Sequence, residues 1–282
     1  MPARAGLVPA IPARRVPARG VPAGAALARA LLAGGAAFAV AQGAPGLTAL
    51  APVRRLFPRL AGAGAPDHVA LTFDDGPDPN FTPRFLATLA ARGVRATFFL
   101  LGPMVQAAPQ LAAEIAAAGH EIGVHGWEHR YATVRGPRAL RDDLARACDT
   151  IAAATGTVPR LYRPPYGVLS AGALIAARRL GLRPILWSTW GREWTPGATP
   201  VSVQATLART LGGGATVLLH DSDCTAPPGT AVAALGALPW LLDECGRRGL
   251  RAGPLAEHLA DGPGRDYRTN AGADDRADAR PG

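Results

Sequence analysis

Lysine is missing from this chain: all 30 of its basic residues are arginine. With the abundance of alanine, this reads as the imprint of GC-rich coding, so the arginines are not taken as chosen for phosphate binding. Cysteine is scarce. Cys148, Cys224 and Cys245 cannot all pair within one chain and show no C-x-x-C spacing, which argues against a cysteine-based structural metal site. Cys224 with Cys245 is a disulfide that an exported protein could form. No apolar run reaches the roughly 20 residues that span a membrane with ease, and no internal repeat marks a solenoid or propeller.

Acid is absent from one part of the chain. Residues 1–66 hold eight arginines and no acidic residue, whereas residues 67–282 hold 22 arginines against 21 acids. The formal charge of +9 therefore belongs to the leader, and the rest is nearly neutral. A nucleic-acid binder carries its basic stripe on the folded domain, so no nucleic-acid partner is expected. Within the leader, Ala30–Ala41 is an apolar run ending in Ala39-Val40-Ala41, an A-x-A-like cleavage site, while the twin arginine Arg14-Arg15 lies far from that run and has poor flanks. The expectation is an exported or envelope-associated protein, with a signal peptide or an N-terminal anchor that associates with the membrane. The alternative is a disordered Ala/Pro-rich extension. Three regions result: leader 1–66, a folded domain 67–260, and a polar tail 261–282 with little to bury.

From Asp67 onward, apolar runs alternate with helix-like segments. Strands are read at Val69–Phe73, Ala96–Leu101, Glu121–His125, Leu161–Arg163, Pro184–Trp187 and Ala215–His220. Helices are read at 82–93, with Thr82 as N-cap, then at 109–118, 137–155, 171–180, 201–211, 232–248 and 254–259. Such alternation predicts an α/β fold of parallel strands covered by helices, a barrel or an open sheet.

Polar groups recur where those strands end, and ligands gather at the carboxyl ends of parallel strands. Thr72-Phe73-Asp74-Asp75-Gly76-Pro77 places two acids at a strand end that breaks into a turn, where both reach one pocket; taken alone, it reads equally as a solvated turn. Two like charges there call for a cation. His125-Gly126-Trp127-Glu128-His129 offers two imidazoles four apart, on one side of a helical turn, and Asp75 completes a set of two nitrogens and one oxygen with room for water and substrate. Arg163-Pro164-Pro165-Tyr166-Gly167 is a stiff turn whose arginine can hold a carboxylate charged and whose backbone can face an oxyanion. Glu193 follows the fifth strand, and His220-Asp221 ends the sixth.

These four motifs, with Leu218-Leu219-His220-Asp221 as the last, resemble in order and spacing the polysaccharide deacetylase family, the enzymes with a NodB homology domain that are also called carbohydrate esterase family 4. The resemblance spans about Asp67 to Leu259. It implies a distorted (β/α) barrel and metal-dependent removal of acetyl groups from an acetylated glycan. By the same resemblance, Asp75, His125 and His129 are metal ligands, Asp74 the general base, Arg163 its orienting partner, the Tyr166 N–H an oxyanion donor and His220 the general acid. Leu218 lines the acetyl pocket, and Tyr166 and Trp194 face substrate. The chain departs from the pattern twice: Glu193-Trp194 stands where many members have Asp-Trp, and Trp190 where members often carry Asp. A divalent metal is implied, zinc suiting His and carboxylate ligands best, with cobalt, nickel and manganese also compatible. The competing readings are a related deformylase or C–N hydrolase on a lipid-linked or small amide, and a non-catalytic carbohydrate-binding relative.

Overall fold

The computed structural model of the protein describes residues 34–36 and 38–260. Arg14-Arg15, the start of the apolar run and the tail 261–282 lie outside the described residues. Residues 38–40 are helical and exposed, and the compact body begins at Ala41.

Eight strands build that body: β1 His68–Asp74, β2 Thr97–Leu101, β3 Glu121–Gly126, β4 Leu161–Tyr162, β5 Arg183–Pro184, β6 Thr189–Trp190, β7 Thr216–His220 and β8 Arg251–Gly253. Every pairing is parallel, in the order β5-β4-β3-β2-β1-β7-β6. β8 pairs with the beginning of β1 and β2 with its end. All seven residues of β1 are buried, as a strand covered on both faces must be. On its outer side Phe73 packs against Phe85 of the helix Thr82–Ala90 and against Phe98, with ring centroids 5.1 and 5.0 Å apart. The helix Pro137–Thr155 buries Leu140, Leu144, Ala147 and Ile151 along one stripe, and Gly156, at φ 67°, ends it.

The barrel is open between β5 and β6, which share no ladder. Of the run Pro184–Trp187, read above as one strand, only Pro184 lies in β5, and Ile185 and Leu186 spend their carbonyls on a side chain: Arg163 donates to both, at 3.3 and 2.9 Å. The Leu186 N–H bonds the Leu60 carbonyl at 2.7 Å. Residues 44–66, assigned above to the leader, therefore pack with the barrel. Thr216 Oγ1 donates to the Gly62 carbonyl, and Ala65 N–H to that of His258. These attachments are backbone bonds of a small-residue segment, which composition does not display.

Two local expectations need correcting. Thr82 is the first helical residue rather than a cap; its hydroxyl donates to Asp221 and accepts from Asp78 N–H. Cys224 and Cys245 are free thiols, one exposed and one buried in the core, so their proposed disulfide is absent.

At the amino-terminal pole, His258 Nε2 lies 3.0 Å from the Gly62 carbonyl and its Nδ1 3.1 Å from His68 Nδ1. A carbonyl only accepts, so His258 Nε2 carries the proton and His258 Nδ1 accepts from His68. A second proton on His258 would set N–H against N–H. Burial, then the neighbouring His68, push His258 down to about 4, whereas an unfolded histidine titrates near 6.5. The stability this ring contributes is complete above pH 6.5 and is lost as pH falls toward 4. In urea denaturation, the loss of stability between pH 6.5 and 5 should be smaller by about 2 kcal/mol in His258→Gln than in the parent chain. Equal pH slopes would show that the pair does not titrate as described.

Candidate metal centre and active-site cleft

Side chains of an extended strand alternate between its faces, so Ala70, Thr72 and Asp74 of β1 point to the barrel interior while Leu71 and Phe73 point to the helices. Asp75 ought to point outward too. It does not, because its φ is 78°, a left-handed conformation rarely held by a non-glycine residue and kept where a site requires it. The turn returns its carboxylate to the same cavity as that of Asp74. Two adjacent acids thus serve one site without sharing a role.

Arg163 is fully buried and accounts for Asp74. Its Nη1 lies 2.7 Å from Asp74 Oδ1 and 2.6 Å from Thr72 Oγ1, and its guanidinium sits 4.1 Å above the Phe99 ring. With Nε and Nη2 on the Ile185 and Leu186 carbonyls, four bonds satisfy the charge. Oδ2 of Asp74 remains directed to the cleft, 4.0 Å from His125 Nε2.

Asp75 Oδ1 is buried without a hydrogen-bond partner, and His125 Nε2 and His129 Nε2 approach it at 3.3 and 3.5 Å. Among the described residues this trio is the one group arranged to hold a metal ion. The Nδ1 of His125 is 2.8 Å from the Arg163 carbonyl, which fixes the tautomer and leaves Nε2 with its lone pair toward Asp75. Burial, then His125, push His129 down to about 4. Burial works to raise Asp75, but His125, His220, His129 and a hydrogen bond from Thr225 outweigh it and hold the carboxyl below its usual range. An orphaned carboxylate oxygen facing two imidazole lone pairs fits a divalent cation held by these three residues.

The two histidines do not share a helical turn. His125 is the penultimate residue of β3, and His129 follows the bend at residues 127–128. Gly126, at φ 113°, turns the chain, and Asp143 fastens the bend by accepting from Trp127 N–H and Glu128 N–H at 2.8 and 3.0 Å. The four-residue spacing finds the pair; its geometry comes from a long-range acid that spacing does not reveal.

Across the cleft, His220 sits opposite Asp74 in the β1–β7 register. Its Nδ1 is 2.7 Å from Glu193 Oε1, and Glu193 is buried. The longer glutamate reaches the histidine. Burial alone would lower His220, but the bond and charge of Glu193, then the charges of Asp75 and Asp74, raise it to about 9. Leu218, two residues before His220, lines the cleft, as do Trp194 and Tyr166. The Trp194 ring stands edge-on to His220, centroids 5.3 Å apart. Tyr166 has φ 58° inside its Pro-Pro-Tyr-Gly turn. The cleft holds about 390 Å³.

Other residues belong to the site, and of these only Asp221 stands out in the sequence, as the polar neighbour of His220. Thr225 caps Asp75 Oδ2. Buried Asp221, pushed up to about 7 by burial despite the bond from Thr82, lies against Gly76, where any Cβ would strike it. Exposed Tyr131 stacks on Tyr166 at 4.1 Å. Arg192 stands on the rim. No short motif marks the three uncharged or exposed ones; Asp221, directly after His220 in an apolar strand ending, carried the one available signal.

A sequence model described as polysaccharide deacetylase matches residues 61–185. A chitooligosaccharide deacetylase of Sinorhizobium fredii (strain NBRC 101917 / NGR234) is 38% identical over 168 residues, 59% of this chain and 77% of that protein. The chain belongs to the polysaccharide deacetylase family. Among solved members of this family, a peptidoglycan N-acetylglucosamine deacetylase is 28% identical with a TM-score of 0.64, over 70% of this chain and 91% of that one. A family 4 pseudoenzyme from Bacillus anthracis is 26% identical with a TM-score of 0.62, over 68% of this chain and 65% of that one. The deacetylase fold therefore recurs in a protein described as a pseudoenzyme, and activity has to be argued from the site.

Proposed function

We propose that this polysaccharide deacetylase is a metal-dependent hydrolase that removes acetyl groups, chiefly N-acetyl, from an envelope or extracellular carbohydrate such as peptidoglycan or chitin-type oligomers. The observation that carries the proposal is the arrangement of three units around one cleft: the Asp75–His125–His129 trio, the Asp74–Arg163 pair and the His220–Glu193 pair. A protein that only bound a glycan would need neither pair. The basic leader, with its apolar run, supports an envelope destination.

A divalent cation held by Asp75, His125 and His129, zinc being the best match to those donors, would act as a Lewis acid toward water and an acetyl carbonyl. The remaining chemistry belongs to the chain. Asp74, fixed through Oδ1 by Arg163, takes the proton of the attacking water at Oδ2. The Tyr166 N–H, set by its turn, faces the developing oxyanion. His220 holds a proton on each nitrogen; Glu193 keeps the one on Nδ1, and the one on Nε2 passes to the departing sugar nitrogen. That step matters because an amine anion is too poor a leaving group to depart unprotonated. Leu218 packs against the acetyl methyl, and Trp194 and Tyr166 border the sugar.

Full-length chain, stripped by chelation and reloaded separately with zinc, cobalt, nickel or manganese, tests this by acetate release from peptidoglycan, chitin-type oligomers, acetylated xylan and a lipid-linked amino sugar. Stripping should reduce release at least a hundredfold and zinc should restore it, with an N-acetylated glycan turned over best. Undiminished release by the stripped chain, or none from any substrate after reloading, would sink the proposal.

A further inference from the structure

The three carboxylates of the cleft are already matched: Asp74 to Arg163, Glu193 to His220, and Asp75 within the metal trio. Most arginines near these elements are committed too. Arg54, 5.1 Å from the Trp187 ring, bonds the Thr48 and Ala49 carbonyls, and Arg135 pairs with Asp143. Arg192 is different. It lines the cleft together with His129, His220 and Trp194, it is exposed, and among the described residues its guanidinium makes no ion pair or hydrogen bond.

Its placement is enforced from both sides. Glu193 turns inward to reach His220. Gly191 is buried so tightly that a Cβ there would meet Glu193 Oε2 at 2.5 Å and Leu219 at 2.7 Å. Between them Arg192 is held at φ 58°, and Thr195 pins its carbonyl by N–H and Oγ1, at 3.1 and 2.8 Å. A side chain kept in that strained conformation at the mouth of a site is a candidate for function. Its guanidinium lies 5.8 Å from the Trp190 ring centroid, close enough for the ring to restrain the fork by cation–π attraction.

Resting on the deacetylase reading above, we infer that Arg192 recognises an oxyanion on the sugar next to the one deacetylated, so that the preferred substrate is an acetylated glycan bearing carboxylate or phosphate groups rather than a neutral oligomer. A planar fork that meets two oxygens at once suits either group, and no other cleft residue offers an uncommitted positive charge.

The test uses the full chain loaded with zinc and three oligomers of equal length: neutral N-acetylglucosamine, one with an ether-linked carboxylate on alternate sugars, and one with a phosphate monoester there. Acetate release gives kcat/KM, and calorimetry gives binding. The parent chain should favour at least one anionic oligomer about tenfold or more, mainly through KM and binding, and this preference should shrink in 0.5 M salt. Arg192→Gln should bring the anionic-to-neutral ratio near unity, Arg192→Lys should restore part of it, and Arg178→Gln, at the far end of the helix Ala171–Arg179, should keep the parent ratio. A response to the carboxylate arm alone, or to the phosphate arm alone, supports the inference and names the anion. Absence of preference in the parent chain, or its survival in Arg192→Gln, overturns it. If no oligomer releases acetate, the deacetylase reading fails, and the calorimetric ratio decides the role of Arg192 by the same criteria.

Discussion

Asp74→Asn should cost about a thousandfold in turnover, within the range expected for loss of a general base, while leaving metal affinity close to that of the parent. The asymmetry follows from the two faces of the β1 terminus. Asp75 provides the oxygen that faces both imidazoles, at 3.3 and 3.5 Å; Asp74 has one oxygen on Arg163 and the other free toward the cleft. An amide keeps the shape and accepts from Arg163, but it cannot accept a proton. Metal content by elemental analysis and kcat under saturating metal separate the two effects. Parent-like turnover in this variant would reject Asp74 as the base, and loss of metal would make it a ligand instead.

Arg163→Met should destabilise the fold by about 3–5 kcal/mol, the cost of stranding one partner of a buried ion pair. It removes the partner of Asp74 and leaves Thr72 Oγ1 and the carbonyls of Ile185 and Leu186 short of a donor. Those carbonyls lie in the gap between β5 and β6, so a structural seam and a catalytic carboxylate fail together. If the stranded charge dominates, the double variant Arg163→Met, Asp74→Asn should cost less than the sum of the two single changes, by about 1–3 kcal/mol. Urea midpoints of the four proteins give the cycle. A loss below 1 kcal/mol in the single variant would mean that water reaches the site and replaces the guanidinium.

These effects rest on groups that differ in how openly the sequence displays them. β1, β2, β3 and β7 are readable because each is a short apolar run, and the metal trio because an acid pair at a strand end and His-x-x-x-His are local patterns. What periodicity cannot register is where a hydrogen bond goes. The run Pro184–Trp187 looks like one strand, yet Arg163 claims its carbonyls. Residues 44–66 look like a leader, yet Leu60 and Gly62 bond into the barrel through main-chain atoms. Thr82 has the chemistry of a cap and is diverted to Asp221. Glu193 stands out as an acid after a strand end and by likeness to a family pattern, but its contact with His220 depends on how β6 and β7 align, which no local feature encodes.

The unpaired seam has an evolutionary corollary. The ion-holding residues sit on or just after β1 and β3, in the middle of a continuous ladder, whereas the tryptophan- and arginine-bearing stretch lies on and just after β6, the last strand of the sheet, which is laddered to β7 alone. A wall with rungs on one side only can drift through successive replacements while the strands at the centre of the sheet stay in register. Related chains can thus retune which polymer they admit without rebuilding the machinery that cuts it.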